Sequence, residues 1–144
     1  MDKRNKYDTT VSVIARVDMQ DEMQNFVSRK SWPSVRLRLG DGSMEHRFSR
    51  HGEEHRFTVN ACLTGGEHDV VLEFTEKDVH QGAVEILSLT VQGCPIGLPI
   101  YQCRYTTYEK GETLHSHLYL GIPGEWRWTL QVPVQVWRPE VGIQ

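Results

Sequence analysis

The clearest structural signal in the sequence is the short segment VRLRLGDG at residues 35–42. Apolar and arginine residues alternate strictly from Val35 to Leu39, so successive side chains would point to opposite faces of a strand. The leucines would then face a core and the arginines would face water. The Gly-Asp-Gly at residues 40–42 is a strong turn signal. The segment therefore predicts a half-buried β-strand that ends in a tight turn.

The same alternation recurs on both sides of this segment, in runs separated by turns rich in glycine and proline. The alternating or β-branched runs are residues 9–17, 55–61, 68–74, 84–91, 100–105, 116–120 and 126–136. Strands at this spacing are typical of a sandwich or jelly roll. We therefore predict an all-β fold, a jelly-roll-like antiparallel β-sandwich. Only residues 18–30 have helical spacing, and there we expect a short helix or an ordered loop.

Length and composition indicate one domain and exclude several classes of protein. The chain has 144 residues, so we predict a single domain at 1–144, with a core at about 9–130 and a Pro- and Trp-rich arm at about 131–144. Sixteen Lys and Arg against nineteen Asp and Glu give a net charge of −3, which argues against a nucleic-acid partner. No apolar run approaches the ~20 residues of a membrane span, and the charged N-terminus lacks a signal-peptide core. Without a CxxC pair, the three cysteines predict reduced thiols and a cytoplasmic protein.

A four-residue repeat predicts a pair of neighbouring strands. The sequence EHRF occurs at residues 45–48 and again at 54–57. In strands, the His and Phe of each copy would share one face, and the Glu and Arg would share the other. Residues 49–53 would then form a hairpin loop, with matching residues paired across the two strands. A functional histidine patch is the alternative interpretation.

Two histidines, His115 and His117, would lie on the same face of a strand. They predict surface or interface histidines, a metal site completed by a carboxylate, or a pH-sensitive contact. No nucleophile, zinc-protease or phosphate-loop motif occurs in the sequence. We therefore predict no catalytic residues and a protein that is not an enzyme.

Tryptophans are concentrated near the C-terminus. In the alternating run 124–132, one face carries Trp126, Trp128, Leu130 and Val132. Such a face is most often core, because each indole buries ~150–250 Å². The alternatives are a stacking platform or an anchor for a partner. The prolines that follow, in residues 132–141, favour an edge strand or an extended arm.

The middle of the chain resembles a known family of binding modules. The segments are RFTV at 56–59, GEHDVVLEFTEKD at 66–78 and VEILSLTVQG at 84–93. They are similar to strand motifs of the calcium-dependent, xylan-binding type of carbohydrate-binding module. The resemblance implies a small jelly-roll sandwich and, as an alternative cofactor, calcium with Glu76 and Asp78 as possible oxygen ligands. In that alternative, Glu76, Asp78 and His80 would bond glycan hydroxyls.

The part after Gly93 is similar to small virion proteins of tailed phages. Those proteins join the same sandwich to a G-x-W-x-W terminal strand, here residues 124–128, and to a Pro/Trp tail. Our first hypothesis is therefore a non-catalytic virion component without a cofactor, either a capsid decoration protein or a tail accessory. It would be present in the host cytoplasm during assembly and then in the virion, contacting virion proteins or further copies of itself through Trp32, Tyr119 and Trp137. The alternative is a stand-alone carbohydrate-binding module whose partner is a glycan.

Overall fold

The computed structural model of this protein describes residues 5–18, 32–76, 83–97, 103–108, 111–115, 118–120 and 123–134. Within these ranges the chain forms eleven strands. They are β1 (Lys6–Asp18), β2 (Ser34–Leu39), β3 (Gly42–Arg47), β4 (Glu54–Thr64), β5 (Gly66–Glu76), β6 (Ala83–Val91), β7 (Cys94–Ile96), β8 (Arg104–Thr107), β9 (Thr113–His115), β10 (Tyr119–Leu120) and β11 (Gly124–Val132). A search of the described ranges finds no helix that is long and apolar enough to cross a membrane.

The strands pair into two sheets that pack face to face. In the five-stranded sheet the order is β10–β6–β1–β4, and β7 also pairs with β6. In the six-stranded sheet the order is β3–β2–β5–β11–β8–β9. Every one of these pairings is antiparallel. The predicted antiparallel β-sandwich is therefore confirmed.

The alternation within residues 35–39 builds part of the core. In β2, Val35, Leu37 and Leu39 are fully buried between the two sheets. Arg36 and Arg38 point to the opposite face and are partly exposed. Since apolar burial is the main favourable term in folding, this alternation explains why the segment lies flat against a second sheet.

The tryptophan face of β11 also points into the core. Trp126, Trp128, Leu130 and Val132 are all buried, so the core interpretation is confirmed and this face is not an exposed stacking platform. β11 pairs with β5 along its whole length and with β8 over Gly124–Arg127. Over those residues it is an interior strand of the six-stranded sheet.

The predicted hairpin at the EHRF repeat is wrong. β3 pairs with β2 in the six-stranded sheet, whereas β4 pairs with β1 in the five-stranded sheet. The intervening residues therefore carry the chain from one sheet to the other. The repeated residues still meet, because the rings of His46 and His55 stack with centroids 3.7 Å apart, and those of Phe48 and Phe57 lie 6.5 Å apart. A hairpin and a crossing between the sheets would both bring the two phenylalanines to a shared core. The repeat therefore cannot distinguish the two arrangements.

Several predicted segments lie outside the described residues. The expected helix or loop at 18–30 is described only at Asp18, where β1 ends. The arm expected at 131–144 is described only as far as Val134, and β11 ends at Val132, just before Pro133. The strands β7 and β9 were not predicted, because three residues are too few to show a period of two.

Candidate functional site

One row of polar side chains crosses the outer face of the five-stranded sheet. Arg16 of β1 lies directly opposite Glu54 of β4 on one side and Glu85 of β6 on the other. Tyr119 of β10 lies opposite Glu85. Directly opposed residues of neighbouring strands share one face of a sheet. These four residues therefore form a continuous row across four strands, which we call the Tyr119 row.

Arg16 is held between the two carboxylates of this row. Its Nη2 atom donates a hydrogen bond to Glu85 Oε1 at 2.8 Å. That hydrogen bond, together with the charges of Glu85, Glu54 and Asp18, raises the pKa of Arg16 above its usual value. The row thus offers a charged, planar donor flanked by two acceptors, with one more negative than positive side chain.

Tyr119 combines an exposed ring with a fixed orientation. Its side chain is 46% exposed, and its hydroxyl donates a 2.5 Å hydrogen bond to Asp18 Oδ2. This hydrogen bond, partial burial and the charge of Asp18 raise the pKa of Tyr119 to about 12. The ring is therefore a neutral aromatic surface that is held at the sheet edge.

An open cleft of about 370 Å³ lies beside the Tyr119 row. It is lined by Arg16, Val17, Asp18, His51, Gly52, Glu54 and Glu85. Tyr119 stands at its border, since Asp18 both lines the cleft and accepts the tyrosine hydrogen bond. The cleft is polar, and it combines carboxylate acceptors with guanidinium and imidazole donors.

The segment that crosses between the sheets closes one side of this cleft. The Gly52 N–H donates to the Val17 carbonyl at 3.0 Å, and the Val17 N–H donates to the Glu53 carbonyl at 3.0 Å. Gly52 has a φ of +78°, a backbone conformation that residues other than glycine rarely adopt. His51, next to it, brings its Nδ1 atom to 3.9 Å from Asp18 Oδ1. The crossing therefore places an imidazole over the end of β1.

Of the three predicted partner anchors, only Tyr119 is exposed in the described part of the chain. Trp32 packs into the core at 3% exposure, and its carbonyl accepts a hydrogen bond from Arg47 Nη1 at 3.1 Å. A buried indole has no surface to offer a partner, so Trp32 instead pins the segment before β2. Trp137 lies outside the described residues.

The other predicted ligands are Glu76, Asp78, His80, His115 and His117. Glu76 ends β5 and His115 ends β9, but their side chains fall outside the described part of the structure, as do Asp78, His80 and His117 entirely. Among the residues that are described, no three His, Cys, Asp or Glu side chains are grouped to hold a metal ion.

Sequence reasoning missed most of the cleft. Arg16, Asp18, Glu54 and Glu85 occupy polar positions of alternating strands or their ends, and such positions are ordinarily just solvated. Only the pairing register brings them together into one site, because it aligns residues that lie far apart in the chain. Tyr119 was predicted as an anchor, but nothing local in the sequence connects it with Arg16.

Comparisons with known proteins agree with the architecture. No protein-family model and no curated protein matches the chain. A solved structure of the carbohydrate-binding module vCBM60 in complex with galactobiose is similar over 83% of this chain and 96% of its own, with 14% identity and a TM-score of 0.50. The selenomethionine form of vCBM60 is similar over 83% of this chain and 89% of its own, with 16% identity and a TM-score of 0.53.

The chain shares its fold with these carbohydrate-binding modules. At this level of identity the likeness concerns the fold alone. It supports the part of the predicted resemblance that concerns a carbohydrate-binding-module-like sandwich. The two structures give no support to the predicted virion component.

The second of these structures was described among calcium-dependent modules, so we tested the cleft for a cation site. Arg16 lies between Glu54 and Glu85, and Asp18 already accepts the hydrogen bond from Tyr119. A guanidinium among the carboxylates takes the place that a divalent cation would need and repels it. The cleft therefore does not fit calcium.

Proposed function

We propose that this protein is a non-catalytic glycan-binding module whose binding site is the cleft beside Tyr119. The observation that carries the proposal is an exposed tyrosine, held by Asp18, at the end of a row of paired acidic and arginine side chains. An aromatic ring can cover the C–H face of a sugar, and a few convergent polar groups can bond its hydroxyls. The Tyr119 row supplies both.

The size and shape of the cleft fit a short stretch of sugar. Its volume of about 370 Å³ is near the lower end of the roughly 300–1,000 Å³ found for small-molecule sites. Glu54, Glu85 and Asp18 would accept hydrogen bonds from sugar hydroxyls, while Arg16 and His51 would donate to them. Because vCBM60 was solved with galactobiose, this neutral disaccharide is the first probe to use.

The same geometry argues for binding without hydrolysis. A glycosidase pairs two carboxyl groups, one of which keeps its proton and acts as the general acid. In the cleft, Arg16 stands between Glu54 and Glu85 and donates a hydrogen bond to Glu85. Arg16 thus stands where the scissile bond would have to lie between the two carboxyl groups.

Replacement of Tyr119 tests the site directly. We expect Tyr119→Ala to weaken galactobiose binding at this cleft at least ~10-fold, because the stacking surface is lost. Tyr119→Phe keeps the ring and removes only the hydrogen bond to Asp18, so a smaller loss is expected. Calorimetric titration measures both variants. The control is Leu114→Ala, which removes an exposed apolar side chain on β9. A folded Tyr119→Ala protein that binds the same number of sugars with the same affinity as the wild type would rule out this cleft.

A chelator distinguishes binding at this cleft from binding at a calcium-dependent site. Since Arg16 occupies the space among the carboxylates, we expect galactobiose affinity to be the same with and without EDTA. Loss of binding in EDTA, restored by added calcium, would place the glycan elsewhere, on the predicted ligands Glu76, Asp78 and His80.

A role as a virion component is the second candidate. The observation that favours it is again Tyr119, since an exposed tyrosine on a short edge strand is a common kind of protein–protein anchor. Native mass spectrometry of the purified protein, or of particles that contain it, tests this role. An assembly that dissociates in Tyr119→Ala, together with no response to glycans, would favour it over glycan binding.

A further inference from the structure

We propose that the outer face of the six-stranded sheet carries a second glycan site, beside Tyr108, so that one molecule binds two glycan chains at once. This inference rests on the proposed function, because it extends the same recognition chemistry to the opposite side of the sandwich.

Tyr108 has the surroundings that make Tyr119 a candidate platform. It is 50% exposed and follows directly after β8. Its N–H donates to the Pro123 carbonyl at 3.1 Å, and its hydroxyl lies 3.5 Å from Glu125 Oε2. Burial and the charges of Glu125 and Glu73 raise the pKa of Tyr108 to about 12. The ring is therefore neutral and held over the sheet.

The row beside Tyr108 contains the same kinds of side chain as the Tyr119 row. Glu73 of β5 lies opposite Arg36 of β2 and opposite Glu125 of β11. Arg36 Nε donates to Glu73 Oε1 at 2.6 Å, and Glu73 is buried. A tyrosine, an arginine and two carboxylates thus stand together on each outer face of the sandwich.

A cleft of about 380 Å³ lies on the same face, and Arg38, which contacts Glu73, and Arg127, which contacts Glu125, connect it with this second row. It is lined by Arg38, Gly40, His68, Asp69, Val71 and Arg127. Val71 lies between Arg38 and Arg127 on the neighbouring strands, so it provides an apolar floor between two guanidinium groups. Arg127 donates to Asp69 at 3.3 Å and also to Glu125. The cleft therefore presents fixed donors and acceptors around a small apolar surface.

The charges of this face favour a neutral sugar over an acidic one. Arg36 and Arg38 both contact Glu73, and Arg127 contacts Glu125 and Asp69. Each guanidinium is thus already compensated by a carboxylate, which would repel the carboxylate or sulfate of an acidic sugar. Sugar hydroxyls, which both donate and accept, suit such balanced pairs.

The two clefts lie on opposite faces of the sandwich, and this arrangement determines how many glycan chains one molecule can bind. The outer faces of two packed sheets point in opposite directions, with a core about 10 Å thick between them. One short glycan cannot occupy both clefts, whereas two separate chains can. A molecule with two such sites links polysaccharide chains, and each link strengthens the attachment of the others.

Titration with galactobiose distinguishes one site from two. We expect about two sugars per chain for the wild type and about one for either Tyr119→Ala or Tyr108→Ala. Leu114→Ala, the control, should retain two. A soluble polymer of galactose units should turn turbid with the wild type and stay clear with either tyrosine variant. Circular dichroism checks that each variant is folded.

Three results would contradict the inference, each in a different way. One sugar per chain, unchanged by Tyr108→Ala and lost in Tyr119→Ala, would remove the second site and leave the proposed function intact. No binding of galactobiose or of the polymer by folded wild-type protein would overturn both. A clear preference of the second face for an acidic disaccharide would also contradict the proposed ligand class.

Discussion

At the scale of single residues, the stacked imidazoles of His46 and His55 join the two sheets where the chain crosses between them. The rings lie 3.7 Å apart and are within 2° of parallel. His46 Nε2 pairs with Glu53 Oε2 at 2.7 Å, while His55 Nε2 is buried without a hydrogen-bond partner in the described structure. Burial, and then the nearby charge of His46, lower the pKa of His55 below its usual 6.5. The folded protein therefore favours neutral His55.

Mild acid should weaken the fold through this histidine. The unfolded chain protonates His55 near pH 6.5, but the folded protein does so only at lower pH. Stability therefore falls as the pH drops below about 6.5 and levels off below the folded pKa. His55→Phe keeps a stacking ring and removes the titrating group, so it should lose less stability than the wild type on acidification. Urea midpoints at about pH 7.5 and about pH 5 measure this loss.

Glu53 does not interfere with that measurement. Burial acts to raise its pKa, but hydrogen bonds from Ser49 and His46 outweigh it and hold the pKa below 4.5. Its own contribution is therefore lost only at lower pH. Equal losses in the wild type and in His55→Phe would show that other groups cause the acid sensitivity.

At the scale of elements, the pairing of β11 with β8 requires a glycine at position 124. A Cβ atom on Gly124 would lie 2.3 Å from the carbonyl oxygen of Thr106 and 2.9 Å from the Cα atom of Thr107. Both are backbone atoms of the paired region, which cannot move aside as a flexible side chain could. The first residue of the G-x-W-x-W pattern is thus required by the close approach of β8 and β11.

Replacement of this glycine should destabilise the six-stranded sheet. We expect Gly124→Ala to lower the free energy of unfolding by ~1–3 kcal/mol, because the added methyl overpacks a paired region. Gly97→Ala is the matched control, since a Cβ there meets nothing within 4 Å. Chemical denaturation measures both variants. Equal stabilities of the two variants would contradict the role given to Gly124.

The sequence predicts elements better than it predicts their partners, and the reason is physical. Alternation within 35–39 and 126–132 reports which side chains are buried, because a strand has a period of two. Partner choice depends on residues far away, so the two EHRF copies suit a hairpin and a crossing equally well. The Tyr119 row depends on register across four strands, which no local pattern encodes. The fold class was therefore predictable, whereas the cleft was not.

At the scale of the whole molecule, the sandwich presents paired acidic and basic side chains on both outer faces. Arg16 is compensated by Glu54 and Glu85 on one face, and Arg36 is compensated by Glu73 on the other. The net charge of the chain is only −3. Neither face therefore has the excess of positive charge that recruits a polyanion.

Salt should accordingly have little effect on glycan binding. Galactobiose carries no charge, so added ions screen no attraction between protein and ligand. We expect its affinity to change less than ~2-fold between about 0.05 M and about 0.5 M NaCl. Calorimetry at the two salt concentrations measures this change. A steep loss of affinity would show that the ion pairs of the rows must stay intact to hold the sugar.

The central place of β1 has a consequence for how the protein is made. This first strand pairs with both β4 and β6, so a chain leaving the ribosome has made neither partner when β1 emerges. Its inward residues, among them Val11, Val13 and Val17, are fully buried in the folded protein but exposed until synthesis reaches Val91. Pairings between distant segments close slowly. During that interval the apolar face of β1 is open to chaperones and to neighbouring nascent chains.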